Sequence, residues 1–108
     1  MKRGNLVIGR ATGEFTTKAR PCLVVQSDES LKFSLAVNLR PLTTSLVESP
    51  LIRIRVEPGP VNGLQRTSEI EVDLITTMRK SRRDTIVGSV GRETMVGFDR
   101  ALKRWLGL

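Results

Sequence analysis

The chain has 108 residues, 39% of them apolar and only 4% aromatic, with 18 Lys and Arg against 11 Asp and Glu, a formal charge of +7. That length predicts one compact domain over residues 1–108, and the charge favours a polyanion or an acidic protein as partner. With no histidine and a single cysteine, Cys22, the chain has no His-based acid and base pair, Ser-His-Asp triad, His-containing metal site, zinc knuckle or intrachain disulfide.

Apolar runs are too short to span a membrane, and Met1-Lys2-Arg3-Gly4-Asn5 lacks the apolar core of a signal peptide, so a soluble, cytoplasmic protein is expected. Leu6-Val7-Ile8 reads as a first strand, followed by a polar loop from Gly9 to Ala19. Cys22 to Gln26 and Leu35 to Leu39 are continuous apolar runs suited to buried strands, with Ser27-Asp28-Glu29-Ser30 as the turn between them. Cys22 itself reads as a small buried hydrophobe. In Leu51 to Val56, Ile52, Ile54 and Val56 point one way and Arg53 and Arg55 the other. Pro58-Gly59-Pro60 and Asn62-Gly63 then break the backbone, and a further strand runs from Ser68 to about Ile75. From Arg92 to Leu106, Met95, Phe98, Leu102 and Trp105 recur at steps of three, four and three, one face of an amphipathic helix that places Trp105 in the core. The fold class is therefore mainly β with a C-terminal helix, a small barrel with the helix packed on it.

The segment Lys18-Ala19-Arg20-Pro21 sets a permanently charged guanidinium at the mouth of a buried strand, and Thr43-Thr44-Ser45 ends the next one. Together they make a phosphate site: Arg20 binds phosphate through its fork, and the hydroxyls donate to phosphate oxygens. The bland alternatives are turn capping for the hydroxyls and an ion pair from Arg20 to Asp28, Glu29 or Glu48. The scattered carboxylates form no metal motif, and Gly9, Gly13, Gly59 and Gly63 match no nucleotide-binding loop, so neither metal nor cofactor is expected. Hydrolysis would then be metal-free, which RNA permits because its own 2′-OH can attack the adjacent phosphate.

In order and spacing the residues resemble the MazF/PemK toxins of bacterial toxin–antitoxin systems. The resemblance rests on Met1-Lys2-Arg3-Gly4, Gly13-Glu14, Lys18-Ala19-Arg20-Pro21 into Cys22 to Ser27, Pro41-Leu42-Thr43-Thr44-Ser45, Asn62-Gly63-Leu64 with Ser68, and Glu71 to Met78. It implies an SH3-like barrel working as a homodimer. The implied activity is metal-independent, sequence-selective cleavage of single-stranded RNA, leaving 2′,3′-cyclic phosphate and 5′-hydroxyl ends. It implies Arg20 and Thr43 as the catalytic pair, with Thr17, Lys18, Thr44, Ser45 and Asp73 touching RNA. It also implies a small acidic antitoxin whose disordered tail folds over the RNA groove, in a complex that binds DNA.

Thr76 and Leu74 stand where many relatives have arginine and glutamine, Glu71 where one branch is basic, and Asn5 where aspartate is frequent. The first loop is also shorter, so the cleavage sequence does not carry over. Two other readings stand beside this one: a non-enzymatic gyrase poison resembling CcdB, echoed by Trp105-Leu106-Gly107-Leu108, and a catalytically silent RNA-binding barrel.

Overall fold

The structure, a computed structural model, describes residues 1–10, 19–82 and 86–108. In chain order these form β1 (Asn5–Arg10), β2 (Ala19–Val24), the short helix α1 (Asp28–Leu31), β3 (Ala36–Thr43), β4 (Arg53–Val56), β5 (Ser68–Glu71), β6 (Thr76–Arg79), β7 (Ile86–Ser89) and the helix α2 (Arg92–Leu106). The strands pair antiparallel in the order β4-β5-β3-β2-β1-β7, with β6 also on β3. The sheet curls into a half-barrel, and the terminal helix packs against it, as the sequence predicts.

β3 is the hinge of this topology. One edge of it pairs with β2, while the other pairs with β6 over Ala36–Leu39 and with β5 at Leu42 and Thr43. Pro41 falls between the two partners on that second edge, where an imino acid with no N–H to donate does least harm to a ladder. The expected strand end at Leu39 is thus corrected to Thr43. The expected single strand from Ser68 to Ile75 is also corrected: it stops at Glu71, turns through a Leu74 N–H to Glu71 C=O bond of 3.2 Å, and resumes as β6 on a different stretch of β3. The Ser27–Ser30 turn is the start of α1, with the Ser27 side chain accepting from the Ser30 N–H.

Alternation along the strands separates two apolar clusters. Leu6, Leu23, Leu42, Val56, Ile70 and Val72 gather with Phe98 and Ala101 of α2 on one face. Val7, Cys22, Val24, Leu31, Val37 and Leu39 fill the other. Helix α2 has the predicted bounds and ends at Gly107, whose φ of 72° closes the last turn while the Leu108 N–H reaches the Lys103 C=O at 2.9 Å. Met95 and Leu102 pack against the core as expected. Trp105 does not: it lies past the last core contact and is 50% exposed, which corrects its assignment to the interior.

Candidate active site

Arg20 is the second residue of β2, so its backbone is fixed by the ladder to β1 opposite Gly9. β2 and β3 pair Cys22 with Pro41, and the same antiparallel register continued two residues brings Arg20 alongside Thr43. Both side chains open onto a cavity of about 540 Å³, walled by Pro21, Thr44, Leu64, Gln65, Arg66 and Ser68 among others. The sequence-derived pairing of Arg20 with Thr43 and Thr44 is thus one physical site.

Thr43 Oγ1 accepts the Ser45 N–H at 3.1 Å, closing a tight turn. This contact uses one oxygen lone pair and leaves the hydroxyl hydrogen to donate, so turn capping and phosphate binding are compatible in one side chain. Ser45 and Asp73, both expected to touch RNA, do not line the cavity. Ser45 is exposed beyond the turn; its carbonyl accepts from Arg53 at 3.4 Å. Asp73 sits in the turn after β5, with a buried Oδ1 that has no hydrogen-bond partner among the described residues. Thr17 and Lys18 lie outside the described residues.

The charge partner of Arg20 is not one of the three carboxylates expected from sequence. It is Glu71, 51 residues away, whose Oε1 accepts from Arg20 Nη1 at 3.2 Å while its Oε2 lies 3.6 Å from Arg53 Nη2. Cross-strand register explains the arrangement, because β4 and β5 pair Arg53 with Glu71 and Arg55 with Glu69, all on one face. Glu69 accepts the N–H groups of Val47 and Glu48 at 2.9 and 3.1 Å, with Arg53 at 3.5 Å and Arg55 at 3.7 Å. Burial opposes ionisation of Glu69, but the two N–H donors and two guanidinium groups outweigh it and hold its pKa below the ordinary value. For Glu71 burial wins over Arg53 and Arg20, Asp73 adds repulsion, and the pKa rises. Cys22, buried beneath Arg20, has its thiol pushed up to about 11 chiefly by burial, which removes it as a nucleophile at neutral pH.

The cavity's third wall was visible in the sequence only as a backbone break. Asn62 Oδ1 accepts the N–H groups of Gly59 and Leu64 at 3.0 and 2.9 Å, and its Nδ2 donates to the Glu57 C=O at 2.8 Å. Gly63, at φ 69°, lies against the Val87 carbonyl, where a side chain would collide. This loop places Leu64, Gln65 and Arg66 at the cavity, and Arg66 is a cation there that sequence reasoning missed.

Residues 2–106 match the family described as PemK-like, MazF-like toxins of type II toxin–antitoxin systems. The chain belongs to that family. The toxin is 39% identical over 108 residues to the probable endoribonuclease MazF of Mycolicibacterium smegmatis, covering 100% of this chain and 98% of the relative. It is 32% identical over 102 residues to endoribonuclease MazF6 of Mycobacterium tuberculosis, covering 94% of this chain and 90% of that one. Among solved structures, a mycobacterial endoribonuclease in complex with its cognate antitoxin superposes with a TM-score of 0.78 at 28% identity, over 100% of this chain and 96% of that one.

Proposed function

We propose that this toxin is an endoribonuclease that cuts single-stranded RNA at the cavity between Arg20 and Thr43 without a metal. The single observation that carries the reading is the placement of a strand-fixed guanidinium and a donor hydroxyl on one cavity of about 540 Å³. In the reaction the RNA 2′-oxygen forms a bond to the adjacent phosphorus as it loses its proton, and the bond from phosphorus to the 5′-oxygen breaks as that oxygen gains one. The products are a 2′,3′-cyclic phosphate and a 5′-hydroxyl. Charge builds on the phosphate's free oxygens in the transition state, where Arg20 and the Thr43 hydroxyl stabilise it. Held on a strand end by Glu71, Arg20 needs little reorganisation to do so. An arginine is a poor proton carrier, so its role is electrostatic rather than acid and base work.

Thr44 and Arg66 extend the site along the RNA strand, Thr17 and Lys18 add contacts to RNA, and Ser45 and Asp73 meet the strand farther out. The toxin works as a homodimer in the cytoplasm. A small acidic antitoxin competes with RNA for the basic surface, a reading supported by the +7 charge and by the solved mycobacterial relative's complex with its cognate antitoxin.

The test is cleavage of a long single-stranded RNA in EDTA, with the cut ends mapped. Wild type should cut and leave cyclic phosphate ends, while Arg20→Ala and Thr43→Ala should lose about 10²–10³-fold and at least about 10-fold in rate. Cleavage that EDTA abolishes, or that both substitutions leave intact, overturns the reading. Intact RNA together with inhibited gyrase would assign the gyrase-poison alternative.

A further inference from the structure

On the helix-covered face of the sheet, Arg40 occupies a second pocket, of about 450 Å³, bounded by Gln26, Asn38, Thr77 and Leu102. Arg40 pairs in register with Leu23, one of the residues packed under α2, whereas Arg20 shares a face with Cys22. The two arginines therefore serve opposite faces of the sheet. Arg40 is only 4% exposed, yet among the described residues no carboxylate pairs with it. Among the described residues its guanidinium meets neutral acceptors alone. Nε donates to the Val72 C=O at 3.1 Å, and Nη1 donates to Asn38 Oδ1 at 2.8 Å and the Leu39 C=O at 3.4 Å. Arginine keeps its proton in a protein, so among the described residues this is a buried cation without a counterion, an arrangement that costs free energy and favours an incoming anion.

The neighbouring groups point the same way. Asn38 spends its carbonyl oxygen on Arg40, and Gln26 spends its own on the Asn38 N–H at 3.0 Å, so each amide presents its NH₂. Thr77 stands opposite Asn38 in the β3–β6 ladder and adds a hydroxyl. Arg40 Nη2, two carboxamide NH₂ groups and the Thr77 hydroxyl make no hydrogen bond within the described residues. Among the described residues the pocket is rich in donors and offers no charged acceptor. We propose that it is a binding site for a phosphate group, either free or in a nucleic-acid backbone, separate from the Arg20 cavity. A tetrahedral phosphate spreads four converging donor groups over separate oxygens in three dimensions, whereas a planar carboxylate would have to take two on each oxygen.

The proposal does not depend on Arg20 cutting RNA, and its test is run on full-length Arg20→Ala protein so that the first cavity cannot supply the signal. The ¹⁵Nε resonance of Arg40 is followed while inorganic phosphate is titrated at constant ionic strength, with chloride as control. A saturable shift with phosphate and none with chloride is expected. Asn38→Asp places a carboxylate beside Nη1, supplying an internal counterion; it should weaken phosphate binding at least about 10-fold while the melting temperature holds or rises. Arg40→Gln should abolish the binding. A single-stranded DNA oligonucleotide that displaces phosphate identifies a backbone source, and failure to displace it identifies free phosphate; either supports the site. Equal shifts with chloride, phosphate affinity unchanged in Asn38→Asp, or a response to an acidic peptide but not to phosphate would overturn it.

Discussion

Glu69 and Glu71 are two residues apart on one strand and lie within reach of the same arginine, yet their pKa values shift in opposite directions. For Glu69, whose folded pKa lies below the ordinary 4.5, ionisation contributes stability at neutral pH that is lost as the pH falls through that lowered value. For Glu71, whose pKa is raised above 4.5, the folded state holds the proton more tightly, so stability declines as the pH rises through the window above 4.5. Glu69→Gln should therefore cost about 1–3 kcal/mol at pH 7, from the lost charge-assisted bonds to the Val47 and Glu48 N–H groups. Urea unfolding at pH 7 and pH 3 checks this, with the gap to wild type shrinking on acidification; a gap independent of pH contradicts it. Glu71→Gln should flatten the decline in stability as the pH rises above 4.5. Because this variant also removes the charge that holds Arg20 Nη1, it should slow RNA cleavage while leaving the cavity's shape intact. The partnership itself was not legible in the sequence. Arg20 and Glu71 meet only because β2, β3 and β5 lie side by side, a consequence of long-range pairing that local pattern does not carry.

At the level of elements, periodicity located what it could measure. The three-four spacing of Met95, Phe98 and Leu102 sets α2 without ambiguity, since only a helix puts those residues on one face. The same rule misplaced Trp105, because periodicity says which way a side chain points but not how far the opposing sheet extends. Phe98→Ala should cost about 3–5 kcal/mol and Trp105→Ala less than half of that, as measured by denaturant midpoints. Equal costs would mean that Trp105 is buried after all. Strand β7 went unread because Ile86-Val87-Gly88-Ser89 is short and contains a glycine, a residue that normally weakens a strand. The structure supplies the reason for Gly88: a Cβ there would stand 2.5 Å from the backbone of Asn62, in the loop that walls the cavity. Gly88→Ala should lower stability by about 1–3 kcal/mol through overpacking, at roughly 4–8 °C per kcal/mol in melting temperature. An unchanged melting temperature would show that the loop yields freely. Pro41 hid the second half of β3 for a related reason, since proline ordinarily argues against a central strand, and only the change of partner at that point makes it tolerable.

For the molecule as a whole, the charge of +7 was the earliest clue and the least specific. The structure gives it shape. Among the described residues, Arg53 and Arg55 are engaged by Glu69, Glu71 and Glu48, so they steady the sheet more than they attract a ligand. Arg20 and Arg66 face the cavity, and Arg40 lies behind the sheet. Binding of an uncleavable single strand should weaken with salt at a log–log slope of about −2 to −4, as expected for three to six phosphates on a single strand. A slope near zero would remove the electrostatic basis of the account. Arg20 and Thr43 were legible as candidates because the absence of histidine left few groups able to stabilise phosphate chemistry. That they share one cavity required the register between β2 and β3. The most direct measurement of the central claim is the single-turnover rate of cleavage of one end-labelled RNA in EDTA by wild type, Arg20→Lys and Arg20→Ala, each shown to be folded. The account predicts a loss of about 10²–10³-fold for alanine and an intermediate loss for lysine, which keeps the charge but not the fork; alanine cleaving within about threefold of wild type, less than 1 kcal/mol of transition-state stabilisation, would contradict it.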